Sequence, residues 1–246
     1  MKRLLFTALI CGLAMISSLQ AVTVADQQST VLANGRSAGM EYRVEELVRG
    51  LGVPWGMTFI DPQRLLITER HGAIRLLNLA SGTLTSLKGA PRVLAAGQGG
   101  LMDVAVAPDA AHGGWIYFTY TKNLDGEGAT TLARARLQGD RLSSWQELLE
   151  TKSRTDTGRH FGSRITFDDQ GHLFFTVGDR GVRPNSQDLG NHAGTVLRLK
   201  LDGSVPGDNP FVGQPGALPE IWSYGHRNPQ GIVFDHRTGR LWSIEH

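Results

Sequence analysis

The chain reads as an all-β protein built as a propeller, and three observations carry that reading. A unit recurs four times: a glycine, an alternating apolar strand, an Asp/Gly turn, and a second apolar strand ending in Thr or Ser. Gly56, Gly100, Gly162 and Gly231 open the units at spacings of 44, 62 and 69 residues. The first spacing matches one blade of about 40–50 residues, and the longer ones a blade plus a loop. Helical periodicity is almost absent, while 31 glycines and 10 prolines suit many tight turns. A β-sandwich is the weaker alternative.

The first unit is Gly56-Met57-Thr58-Phe59-Ile60, a turn at Asp61-Pro62, and Leu65-Leu66-Ile67-Thr68. The second covers residues 100–106, turns through Pro108-Asp109 and returns as Trp115-Ile116-Tyr117-Phe118-Thr119. The third covers residues 162–167, turns at Asp168-Asp169-Gln170-Gly171 and returns as Leu173-Phe174-Phe175-Thr176. The fourth is Gly231-Ile232-Val233-Phe234 followed by Leu241-Trp242-Ser243. Further strands are predicted over residues 74–79, 131–137 and 195–201, and one short helical turn over 145–150. About four blades result, in one domain over residues 43–246.

At the N-terminus Lys2 and Arg3 precede an apolar run over residues 4–19, and Thr23-Val24-Ala25 offers a cleavage site before Asp26. That is the pattern of a secretory signal peptide, and the run is short for a span of roughly 20 residues. Residues 1–25 are therefore expected to be removed, the protein to be periplasmic or secreted, and no stable membrane insertion to remain. Residues 26–42 are polar and rich in small side chains and read as a flexible leader. Cys11, the one cysteine, lies within the signal, so the mature chain has no disulfide. Lys and Arg number 25 against 23 Asp and Glu; without Lys2 and Arg3 the charges balance, and no basic surface points to nucleic acid.

Four stretches carry polar groups where propeller loops gather. His160 opens the third unit, and histidine is suited to taking a proton near neutral pH, although a loop histidine without a role is the ordinary reading of any one of eight. Gln98 lies in Gly97-Gln98-Gly99-Gly100, whose glycines allow close approach of a ligand or form a bulge; without a following lysine and helix it is no phosphate loop. Arg227 and Asn228 stand before Pro229 and between Gly225 and Gly231. A forked cation beside a neutral amide suits an anionic or electron-rich small molecule, or simply holds a surface turn. Asp179 and Arg180 form a charged loop after the third unit, and Asp103 reads as a support for its turn. Asp168-Asp169, Asp202-Gly203 and Asp208-Asn209 lack the acidic alternation and closing glutamate of a calcium loop, so they read as hairpin turns and no metal ligand is assigned.

Two long runs add a family resemblance. Gly225-His226-Arg227-Asn228-Pro229-Gln230-Gly231, and the seventeen residues from Gly194-Thr195-Val196 to Asp208-Asn209-Pro210, resemble motifs of the soluble PQQ-dependent glucose/sorbosone dehydrogenases, in their aldose sugar dehydrogenase branch. The resemblance covers about residues 48–246. It implies a six-bladed β-propeller of the quinoprotein glucose dehydrogenase type, with about four blades in this chain. It implies oxidation of an aldose at C1 to the aldonolactone, with His160 as general base and Arg227 polarising the quinone. Gln98, Arg227 and Asn228 would contact the cofactor; Gln98, His160 and Asp179 would face the substrate. The implied partners are an aldose and an external electron acceptor. Ca²⁺ would be held by the carbonyls of a Gly-Pro pair beyond His246, with further cationic PQQ ligands later, so this chain by itself is expected to be inactive. Arg159 stands where the glucose branch has an acid, and the loop over residues 181–194 is short. Two other classes remain open: a non-catalytic propeller of this lineage that binds a sugar or a protein, and a calcium-dependent sugar lactonase, whose converging acidic ligands the sequence does not offer.

Overall fold

The computed structural model describes residues 30–108 and 114–246. Strands β1 (Thr30–Ser37) and β2 (Met40–Glu46) form an antiparallel hairpin. Three four-stranded antiparallel sheets follow, each in chain order. The first comprises β3 (Pro54–Asp61), β4 (Arg64–Glu69), β5 (Ile74–Asn78) and β6 (Leu84–Ser86). The second comprises β7 (Leu101–Val106), β8 (Ile116–Leu124), β9 (Glu127–Gln138) and β10 (Arg141–Glu150). The third comprises β11 (Ile165–Phe167), β12 (His172–Val177), β13 (Thr195–Lys200) and β14 (Ile221–Tyr224). Strands β15 (Pro229–Asp235) and β16 (Arg240–Glu245) pair as a fourth, two-stranded sheet.

Successive side chains of a strand point to opposite faces, and here both faces of the middle sheet are apolar. Phe118 and Ala133 pack with Leu66 and Ile74 of the first sheet. Their neighbours Tyr117 and Leu132 pack with Leu173, Phe175 and Leu197 of the third. The sheets therefore stack face to face as blades. The first strands touch in sequence, β3 on β7, β7 on β11 and β11 on β15, which makes them the inner strands of a propeller. The four repeated units are its first-and-second-strand pairs. At the two ends of the stack, apolar side chains stay exposed: Met57 and Phe59 on β3, and Val233, Trp242 and Ile244 on β15 and β16.

Two expectations are corrected. Residues 145–150 belong to strand β10, because Trp145 packs on Phe118 and Tyr120, with ring centroids 5.2 and 6.1 Å away, and that packing overrides local preference. Within the expected flexible leader, the chain from Thr30 is a strand. It turns at Ala38 and Gly39, whose φ values of 49° and 81° make the primed turn that closes two-residue hairpins. The polar composition hid this pairing. The signal peptide lies outside the described residues, and no described helix is long and apolar enough to cross a membrane.

In each antiparallel blade the start of the first strand and the end of the second lie at one end of the sheet. Gln98, His160, Asp179, Arg227 and Asn228 all fall within five residues of such an end, so the topology collects them on one face.

Candidate active site

His160 lies in the connection from β10 to β11, where the chain takes left-handed conformations at His160, Gly162 and Ser163, with φ of 58°, 61° and 84°. Such conformations are costly outside glycine and persist only where surrounding bonds enforce them. The backbone N–H of His160 donates to Gln98 Oε1 at 2.7 Å. Its ring Nδ1 lies 2.6 Å from Asp179 Oδ1. A carboxylate there holds the proton on Nδ1 and leaves the Nε2 lone pair available. Asp179 is buried and also accepts the N–H of Gly181 at 2.7 Å, while its own N–H donates to the carbonyl of Arg227 at 2.7 Å. One carboxylate residue thus ties the histidine loop to the Arg227-Asn228 loop.

Asn228 is buried; its Oδ1 accepts the N–H of Gly162 at 3.1 Å, and its Nδ2 has no hydrogen-bond partner among the described residues. A side chain at Gly178 would meet the His160 carbonyl at 2.3 Å and Asn228 Oδ1 at 2.8 Å, so only glycine lets these loops close together. The backbone N–H of Arg227 donates to Glu245 Oε2 at 2.7 Å, and its guanidinium is exposed without a partner among the described residues.

Strands β3 and β15 and the loops that enter β7 and β11 contribute to a cavity of about 440 Å³, within the range of small-molecule sites, whose walls include Trp55, Arg70, Gln98, Phe161, Asn228 and His246. The His246 ring faces that of His160 with centroids 6.5 Å apart. Gln98 and Asn228 line the cavity, and His160 stands beside it. Asp179 is placed differently from a residue facing substrate: its carboxylate sits behind the imidazole, occupied by His160 and Gly181. Arg227 stands outside the wall with its charged end in solvent. A larger groove of about 960 Å³ between the first two blades contains none of these residues.

Arg164 escaped the sequence, and so did the burial of Arg180 within its charged loop. Arg180 is fully buried. It donates to the carbonyls of Arg159 (3.2 Å), Gly128 (2.8 Å), Ser153 (3.0 Å) and Thr157 (2.7 Å), and lies 3.6 Å over the ring of Phe161. Burial pulls its pKa down to about 10 and Asp179 pulls it back up, which leaves a cation at neutral pH. It braces the loop ending in His160. Arg164 donates to Asp103 Oδ1 (3.2 Å) and to the carbonyl of Gln230 (2.9 Å), and its guanidinium lies 4.5 Å over Trp55. Asp103 Oδ2 accepts the N–H of Ile165 at 2.9 Å, so it supports the joint between blades. Burial pushes the Asp103 carboxyl above its ordinary pKa, against the opposing pull of Arg164. Nothing in local composition marks Arg180 as buried or Arg164 as a bridge between blades, because their partners are distant in sequence.

Fold and site together define a β-propeller with a small-molecule cavity at the hub of its blades, beside an imidazole backed by a carboxylate. The family model described as Glucose / Sorbosone dehydrogenase matches residues 51–246, and the chain belongs to that family. It is 40% identical over 207 residues to the aldose sugar dehydrogenase YliI of Escherichia coli (strain K12), a match covering 82% of this chain and 56% of that protein. It is 26% identical to the quinoprotein glucose dehydrogenase B of Acinetobacter calcoaceticus, covering 96% of this chain and 55% of that one. Among solved structures, the PQQ-bound aldose sugar dehydrogenase of Streptomyces coelicolor superposes with a TM-score of 0.70 at 29% identity, covering 89% of this chain and 60% of that one. The chain spans little more than half the length of these relatives.

Proposed function

We propose that this chain carries the general-base side of a PQQ-dependent aldose sugar dehydrogenase, which oxidises the sugar at C1 to the aldonolactone. The observation that carries the reading is the His160–Asp179 pair at 2.6 Å beside the hub cavity. With Nδ1 held by Asp179, Nε2 of His160 is the acceptor for the proton of the anomeric hydroxyl, and Asp179 stabilises the imidazolium that forms. The free Nδ2 of Asn228 in the cavity wall is a donor for the carboxylate and carbonyl oxygens of a flat, acceptor-rich molecule such as PQQ, and the unpaired guanidinium of Arg227, one residue away and turned to solvent, would have to swing inward to add a second. Bound there, PQQ supplies the two-electron acceptor for the hydride leaving C1. Arg227 would favour that transfer by stabilising negative charge on the quinone oxygen. Gln98 uses its Oε1 to hold the backbone of His160 and keeps its amide N–H groups for the sugar or the cofactor. In this proposal the protein is exported, and an external acceptor reoxidises the cofactor.

The reading is tested by titrating the purified chain with PQQ and Ca²⁺ and following absorbance. A saturable spectral change that is lost in Arg227→Ala supports it; no change favours a sugar- or protein-binding propeller without catalysis. The chain by itself is expected not to turn over an aldose with an artificial electron acceptor, and turnover above a His160→Ala control would overturn that expectation. Lactone hydrolysis without PQQ would point instead to a lactonase.

A further inference from the structure

Each complete blade carries on its second strand a fully buried threonine with the same two kinds of partner. Thr68 Oγ1 accepts the N–H of Gly56 on its own inner strand at 3.0 Å and donates to the carbonyl of Met102 on the next blade at 2.5 Å. Thr119 Oγ1 accepts the N–H of Asp103 at 3.0 Å and donates to the carbonyl of Ser163 at 2.7 Å. Thr176 Oγ1 accepts the N–H of Arg164 at 3.1 Å and donates to the carbonyl of Pro229 at 3.0 Å. A hydroxyl has one proton to give, and in each case it goes across the blade boundary.

The receiving carbonyls have a common place. Met102 follows Gln98 by four residues, Ser163 follows His160 by three, and Pro229 follows Asn228 directly. Between site residue and carbonyl the chain is short and, in the third blade, turned sharply by the left-handed residues His160, Gly162 and Ser163. A short kinked segment with one end pinned has little freedom at the other. Inside a protein such a bond is strong, and its loss strands both a buried N–H and a buried carbonyl. Ser243 stands at the corresponding place in the fourth unit, with its Oγ donating to the Gly231 carbonyl of its own sheet at 3.2 Å, the same distance that separates Thr68 Oγ1 from the Gly56 carbonyl.

We propose that Thr68, Thr119 and Thr176 are positioning residues for the site: each hydroxyl pins the start of the next blade's inner strand, and so brings Gln98, His160 and Asn228 together at one cavity. A repeated structural latch thereby becomes the device that aligns groups from separate blades. The proposal rests on reading that cavity as the reaction site.

The experiment compares Thr119→Val with Thr119→Ser, and Thr176→Val with Thr176→Ser, in ¹⁵N-labelled chain. Melting curves establish folding, and NMR reads the His160 ring nitrogens and the Asn228 side-chain amide. Thr119→Val is expected to shift the His160 ring signals and to lose the Nδ1 proton held by Asp179, while Thr119→Ser retains both. Thr176→Val is expected to shift the Asn228 amide and weaken PQQ binding at least tenfold, with Thr176→Ser restoring it. Folded valine variants with unchanged His160 and Asn228 signals overturn the proposal, as does failure of serine to restore them. Should Thr119→Val not fold, Thr119→Cys, with a weaker donor in similar volume, is scored in the same way. These signals do not depend on turnover. Absence of PQQ binding to the native chain would strike the functional reading and leave the latch standing, whereas unchanged signals would strike the latch alone.

Discussion

Replacing Arg180 by Met removes one guanidinium and leaves four carbonyls to find new partners: those of Gly128, Ser153, Thr157 and Arg159. The side chain is completely enclosed, so no water takes its place without opening the loop. Gly128 keeps one other bond, from the N–H of Thr155 at 3.3 Å, which softens the loss at that position. Removing one side of a buried charged network costs about 3–5 kcal/mol, against a total stability of about 5–15 kcal/mol for a typical domain. For a chain of this size that corresponds to a melting temperature lower by about 6–20 °C. Arg180→Lys keeps the cation but reaches fewer carbonyls with a compact ammonium, so it should melt between the two. Thermal and urea unfolding followed by tryptophan fluorescence read both variants. If Arg180→Met melts within about 2 °C of the native chain, a change worth less than about 1 kcal/mol, the network does not brace the loop and the reasoning fails.

Two further outcomes follow from charge and exposure. Asp103 binds its proton more tightly in the folded than in the unfolded state, because burial raises its pKa. Its contribution is therefore present below the ordinary carboxylate value and is lost as pH rises through the raised one, so the melting temperature of the native chain minus that of Asp103→Asn should fall as pH rises above the ordinary carboxylate range; a rise would refute the sign. Phe59 is 59% exposed at one end of the stack and Ile244 72% at the other, which favours association between chains. Phe59→Lys with Ile244→Lys should move sedimentation toward the monomer, and a native chain already monomeric at about 100 μM would refute the expectation.

The repeat of glycine, strand, turn and strand was legible because a strand buried on both faces must be apolar throughout and its turns need residues that accept tight backbone geometry. The positions of Gln98, His160, Asp179, Arg227 and Asn228 at strand ends were equally legible, since antiparallel order alone sends those ends to one face. The strand over Trp145 and the hairpin from Thr30 were missed. The first is decided by aromatic partners on another strand and the second by two left-handed turn residues, neither visible as a local preference.

By itself, then, the sequence determined an all-β propeller, the repeating blade unit and the loops that bear polar groups, because these follow from side-chain periodicity and turn chemistry within a few residues. Only the tertiary structure decided that Asp179 stands behind His160, that Arg180 is enclosed, that Arg164 bridges to Asp103 and Gln230, and that three threonines bond across blade boundaries. Those choices depend on groups tens of residues apart meeting at short range, where a hydrogen bond forms or fails within a fraction of an ångström, and no local pattern encodes that meeting.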